Sequence, residues 1–406
     1  MPEHWSRLLS MLRAILISPD AELAERLTRA LAEIGKVGVA RRLDRYPREQ
    51  ELSGVIRAHA PQLFFIDVSE LNEALRLAAV IAEQAPGAQV LAFARASEQR
   101  TLLELMRAGI REFIAVPEAL SDLGNAVERV LAALERTPVS IAVTDEVIAF
   151  LPAKPGVGCS TIALNVSAAL AADAGTKVLL ADFDLNCGII DFLLHLDGGH
   201  SLVDAAEHAA HLDEELWPKL VARVGPMDVL PAGPIKPGFR IEPPAMRYLL
   251  DFSRRNYDVI CADLSGLMER FSVDLMQESK RIFLVCTPEL PALHLARQKL
   301  EYLRSLDLEN RVAVVLNRAE KRSLVSCADI EKLIGLPVGM QVPNNYRGVH
   351  KALEDAKPAD PRSELGKCYA GLARQILSKS PDARKPRRFV EYFSITPARY
   401  SFVDRR

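Results

Sequence analysis

Short apolar runs alternate with amphipathic stretches along most of the chain. The runs at 14–17, 37–40, 63–67, 89–93 and 112–116 are rich in Ile, Leu, Val and Phe. Apolar runs this short and continuous are the pattern of strands buried on both faces. Between the first two, Leu23, Leu27, Leu31 and Ile34 recur at helical spacing, and Gly35 follows them, as a helix with a C′ glycine would read. Five strand–helix repeats of this kind predict a doubly wound parallel sheet. A helix over 118–136 closes the set, and Thr137-Pro138 breaks it, because the residue before proline resists the helical region.

A second series of runs lies at 147–151, 177–183, 257–265, 281–285 and 312–316. The fold class expected is therefore α/β, with two doubly wound parallel-sheet domains. At 406 residues the chain can bury a separate core in each. The first domain is placed at 11–136 and the second at 147–379. The connector 137–146 is too short for a free tether, so the domains are expected to touch. A tail at 380–406 carries seven Arg/Lys and five aromatics between 383 and 406, including Phe389, Tyr392, Phe393 and Tyr400. Pro386 and Pro397 interrupt any helical stripe there, so it reads as a disordered or docking extension.

Composition narrows the field. The formal net charge of −2 advertises no surface for nucleic acid or anionic membrane. No apolar run approaches the roughly 20 residues that span a bilayer, and no leader pattern opens the sequence. Six cysteines are spread without a CxxC pair, which suits reduced thiols in a cytosolic protein. His208 and His211 have the spacing of a metal pair but no accompanying carboxylates, and read as a solvated helix face.

The chemistry concentrates after the run 147–151. There the loop Lys154-Pro155-Gly156-Val157-Gly158 leads into Cys159-Ser160-Thr161 and a segment with Ile162, Val166, Ala169 and Leu170 at helical spacing. Strand, glycine loop and helix together let backbone N–H groups and a helix N-terminus surround a phosphate. Two further apolar runs end in acids. KVLLADF ends in Asp182-Phe183-Asp184, with Asp182 placed 23 residues beyond Cys159. YDVICADLS carries Asp263. A carboxylate at the carboxyl end of a parallel strand points into the crevice where ligands bind.

These motifs resemble those of the MinD/ParA ATPases. Their deviant Walker A motif, K-G-G-x-G-K-[ST]-[ST], is matched here by K-P-G-V-G-C-S-T. The signature lysine, Lys154, is kept, and Cys159 replaces the Walker lysine. Loss of that lysine is a mark of the TadZ/CpaE-like pilus-assembly subgroup. The resemblance implies ATP and Mg²⁺ as cofactors, with Gly156, Val157, Gly158, Cys159, Ser160 and Thr161 around the phosphates and Ser160, Asp182 and Asp263 at the metal. Asp182 would orient the attacking water and Lys154 would reach the partner subunit's phosphates. Asn317, followed by Arg318, would face the adenine edge, where an amide offers both donor and acceptor. Thr287-Pro288-Glu289 and Val342-Pro343-Asn344-Asn345 fall where the family lines nucleotide and partner.

The first domain resembles a response-regulator receiver, with a flavodoxin-like fold. Asp67 ends its third run, at the phosphoacceptor position. The family's acidic pair is replaced by Ser18-Pro19 with Asp20, its hydroxyl by Ala94, and its Lys-Pro by Val116-Pro117. Nothing is left to stabilise a phosphoryl group in transfer. Asp67 is thus read as a pseudo-phosphoacceptor in a docking or dimerisation module.

Taken together, the resemblance implies a cytoplasmic localisation or assembly factor for a Tad-type pilus or secretion system. It would form a homodimer with ATP sandwiched at the interface, hydrolyse ATP weakly or not at all, and meet pilus or secretion assembly proteins. Placement at a pole or at the inner-membrane periphery is a variant of this expectation, and nucleic acid is not an expected partner. The alternatives are a cycling ParA/MinD-type ATPase that positions DNA or other cargo, and a signalling ATPase controlled by phosphorylation of Asp67.

Overall fold

The computed structural model describes residues 11–378 apart from 97, 118–119, 174, 197, 200 and 321–324. The tail expected at 380–406 lies outside the described residues. The chain forms two compact units that divide between Val143 and Thr144.

In the first unit β1 (Leu12–Ile17), β2 (Val37–Leu43), β3 (Leu63–Asp67), β4 (Gln89–Ala94) and β5 (Glu112–Ala115) form one sheet. All pairings are parallel and the order is β2-β1-β3-β4-β5, a doubly wound order. The helix Ala21–Ile34 starts where Asp20 accepts from the Leu23 N–H and stops at Gly35, whose φ of 69° is left-handed. Its Leu23, Leu27 and Leu31 are buried against the sheet, as the spacing predicts. The last helix is shorter than expected: a 3₁₀ turn at Leu120–Asp122 precedes Leu123–Arg136.

The stretch read as a connector is built into both units. Ser140 donates to the Pro86 carbonyl, and Ile141 is buried in the first core. Thr144 donates to the Arg254 carbonyl, and Glu146 is buried in the second unit.

Among the described residues the second unit has eight strands: β6 (Val147–Pro152), β7 (Val178–Phe183), β8 (Ala222–Val224), β9 (Met227–Leu230), β10 (Val259–Leu264), β11 (Arg281–Cys286), β12 (Val312–Ala319) and β13 (Val338–Pro343). Their order is β13-β12-β11-β6-β10-β7-β9-β8. Every pair is parallel except the β8–β9 hairpin. That hairpin has no counterpart in the sequence reading, because its strands are only three and four residues long. β6, β7 and β10 are buried at every position, which is why they read as unbroken apolar runs. Phe150 of β6 and Phe283 of β11 stack 5.4 Å apart beneath the loop.

β6 lies between β10 and β11, where connections leave the sheet in opposite directions. Such a switch point opens a crevice at the carboxyl ends of the strands.

Candidate functional site

The crevice is floored by the loop between β6 and the helix Cys159–Ala171. Gly156 and Gly158 have φ of 81° and 87°, left-handed values open to glycine at little cost. A Cβ on Gly158 would collide with Asn317 Nδ2. Gly158 is the N-cap of the helix and no side chain caps it. The first N–H groups of that helix therefore face the crevice without a side-chain acceptor, as an anion site requires.

Asn317 and Arg318, from β12, close over the loop. Asn317 Nδ2 donates to the Val157 carbonyl at 2.7 Å, and its Oδ1 accepts from the Arg318 N–H. Arg318, itself left-handed at φ 54°, donates to the Gly156 carbonyl at 3.0 Å. The amide expected at an adenine edge holds the loop in this structure.

Asp182 and Asp263 stand side by side in register on β7 and β10. Asp182 accepts from the Asp184 N–H at 3.0 Å and the Ile190 N–H at 3.2 Å, so the turn after β7 aims its carboxylate. That turn depends on Gly188, where a Cβ would lie 2.8 Å from Asp182 Oδ2 and 2.5 Å from the Ala232 Cβ. Asp263 is 1% exposed and neither of its oxygens has a hydrogen-bond partner. The Ser160 hydroxyl and Cys159 thiol stand beside it without closing a bond of good geometry. Burial pushes its carboxyl up to about 7, and burial with the Asp263 charge raises Asp182 as well. A buried carboxylate with both oxygens orphaned, beside a second buried carboxylate, fits a divalent cation, which would remove the penalty.

Among the described residues no cluster of three or more His, Cys, Asp or Glu side chains could hold a metal. Mg²⁺ uses one or two carboxylates with phosphate and water. Ser160, Asp182 and Asp263 are the residues that would hold it. Cys159 contributes no charge: burial and the Asp263 carboxylate raise its thiol well above the ordinary value.

Lys154 lies on the loop with its Nζ 3.6 Å from Glu289 Oε2. Three residues that sequence reasoning missed complete the surroundings. Glu269 accepts from Ser265 and from Asn186 Nδ2, tying the loop after β10 to the turn after β7. Gly188 admits that turn. Lys299, from the helix Leu290–Ser305, donates to the Pro152 carbonyl at 2.6 Å and the Gly266 carbonyl at 2.8 Å. Burial pulls its ammonium down to about 8. No local sequence signal marks it.

In the first unit, taken by itself, Asp67 is fully buried. Ser18 donates to its Oδ2 at 2.7 Å, and the hydroxyl and N–H of Ser69 donate to its Oδ1. Asp20 is engaged elsewhere, accepting from the Leu23 N–H and from Arg95. Those bonds hold its carboxyl below the ordinary value.

The chain matches no protein-family model. It is 26% identical over 240 residues to the septum site-determining protein MinD of Thermotoga maritima, covering 57% of this chain and 87% of that one. It is 27% identical over 264 residues to the antiactivator FleN of Pseudomonas aeruginosa, covering 61% and 91%. A solved ParA family ATPase from Chlorobium tepidum superposes with a TM-score of 0.53 at 26% identity, covering 57% and 99%. The chain is homologous to the MinD/ParA ATPases. Their P-loop fold matches about 57% of it. Against the MinD/ParA motif, the departure that matters chemically is Cys159, since a neutral thiol cannot supply an ammonium's charge to the phosphates. No helix among the described residues is long and apolar enough to cross a membrane.

Proposed function

We propose that this protein binds Mg·ATP and self-associates around it, acting as a localisation or assembly factor rather than a fast ATPase. One observation carries the reading: an uncapped helix N-terminus behind two left-handed glycines faces two buried, register-matched aspartates, while a neutral thiol fills the Walker lysine position.

Loop amides and the helix N-terminus hold the phosphates, and Ser160, Asp182 and Asp263 hold the metal. When bound there, Mg²⁺ would supply charge neutralisation to the phosphates. Asp182, aimed by the 184–190 turn, is the residue placed to orient water. Losing an ammonium from the loop weakens transition-state stabilisation more than ground-state binding. Turnover is then slow and the ATP-bound form long-lived, which suits a switch.

Self-association draws support from the carboxyl edge of the sheet. Ile189, Phe192, Leu267 and Leu290 are exposed in the segments that follow β7, β10 and β11. Large apolar side chains grouped at one edge suit a partner surface. Lys154 exchanges Glu289 for the partner's phosphates in this reading. The Tad-type pilus or secretion role rests on the K-P-G-V-G-C-S-T loop and the receiver-like first unit. In that unit Asp67, sealed by Ser18 and Ser69, serves docking and not phosphotransfer. A MinD/ParA-type positioning cycle is the second reading, favoured by the homology itself. Titration calorimetry with ATP, in Mg²⁺ and in EDTA, tests the site. Binding in the micromolar range that weakens in EDTA supports it, and millimolar affinity in both refutes it.

A further inference from the structure

We infer that Lys299 is the phosphate-binding cation of this site, a lysine moved from the loop to the helix Leu290–Ser305. The inference rests on the Mg·ATP reading and deepens it by naming the group that holds the bound phosphates in the ground state, where position 159 supplies no charge.

Position comes first. Lys299 Nζ donates to Pro152 O, on the residue that leads into the loop, and to Gly266 O, three residues past Asp263. The ammonium therefore sits in the gap between the ends of β6 and β10, the two strands that present the loop and the metal-site aspartate. Gly266 lines that gap, with the position of a Cβ there 3.3 Å from Nζ. The place borders the loop itself, since a Cβ on Gly266 would also stand 3.9 Å from Pro155 Cδ. An ammonium reaching the phosphates from position 159 would serve the same space.

Bonding capacity comes second. An ammonium has three N–H donors. Among the described residues Lys299 uses two of them on carbonyls and forms no ion pair, with Glu269 acting only from farther away. A half-buried lysine held without a carboxylate is costly to keep charged, and the fall of its pKa agrees. An anion brought to the third donor would reverse that cost. The other cations near the loop are engaged on it differently: Lys154 faces Glu289, and Arg318 is spent on the Gly156 carbonyl at the exposed rim.

A purely structural role would make Lys299 a clip between two loops. The two roles separate by ligand. Full-length wild type, Lys299→Met, Lys299→Gln and the double variant Cys159→Lys/Lys299→Met are titrated with Mg·ATP by calorimetry and with adenosine by ligand-observed NMR. Thermal melts confirm folding, and Lys299→Gln, which keeps a polar donor, covers the case in which Lys299→Met does not fold. Losing a charge-assisted contact should weaken Mg·ATP by about tenfold or more, with adenosine changed less than about twofold. The double variant should recover most of the ATP affinity, because the charge has been returned from the other side of the same space. Unchanged ATP affinity in a folded Lys299 variant, parallel loss of ATP and adenosine, or no recovery in the double variant overturns the assignment. Wild type that binds no Mg·ATP at all would instead overturn the nucleotide reading on which it stands.

Discussion

Asp263 is buried without partners at a cost to the fold, so Asp263→Asn should stabilise the protein when metal and nucleotide are absent. Its two oxygens are buried without partners, and burial lifts its carboxyl from the ordinary 3.8 to about 7. Keeping that group ionised above neutral pH costs about 4 kcal/mol in the folded state. An asparagine still buries an unpaired amide at about 1–3 kcal/mol, so the net gain is about 2 kcal/mol. For a unit of this size that is a rise in Tm of about 4–8 °C. The sign depends on pH. Below about pH 4 both folded and unfolded carboxyls are protonated and the penalty vanishes; it grows from pH 4 to 7 and is full above 7. Melts of full-length wild type and Asp263→Asn in EDTA, at pH 8 and pH 5, read this directly. The variant should melt higher at pH 8, with a smaller difference at pH 5. With Mg·ATP added, wild type should gain stability and the variant much less. A variant that melts lower than wild type at pH 8 in EDTA, or one that keeps the full Mg·ATP gain, refutes the reasoning.

Gly158→Ala places a Cβ against Asn317 at a left-handed φ; it should weaken Mg·ATP binding at least about tenfold, and calorimetry showing wild-type affinity would contradict the loop geometry. Gly188→Ala pushes on Asp182 Oδ2 and the Asp184 carbonyl, so it should lower Mg²⁺-dependent turnover about tenfold or more while leaving adenosine binding unchanged; steady-state assay beside NMR checks both. Asp67, sealed by Ser18 and Ser69, should form no stable adduct with acetyl phosphate. Intact mass spectrometry would overturn that by showing a phospho-species absent from Asp67→Ala.

Much of this site is local and could be read along the chain. β6, the loop and the helix after it are consecutive, and the aspartates end apolar runs that only buried parallel strands would show. The first sheet was legible for the same reason: Leu23, Leu27, Leu31 and Gly35 announce a helix with both its face and its end. What escaped depends on chain crossing chain. Lys299 sits nine residues into its helix, and only the packing of that helix beside β11 and β6 brings its ammonium under Pro152. Asn317 was singled out, but not its hold on the loop, because the Val157 carbonyl lies 160 residues away. The β8–β9 hairpin is too short to carry a periodicity. The connector over 137–146 read as too short for a free tether, but nothing in it showed that Ile141 and Glu146 would each be buried.

Sedimentation velocity of the full-length protein with and without Mg·ATP tests the central claim most directly. The account predicts a species of one chain, 44.8 kDa, without nucleotide and about twice that mass with Mg·ATP. It also predicts that Lys154→Ala binds ATP as wild type does but stays monomeric. The same sedimentation in every condition, or a Lys154→Ala protein that dimerises as readily as wild type, would contradict it.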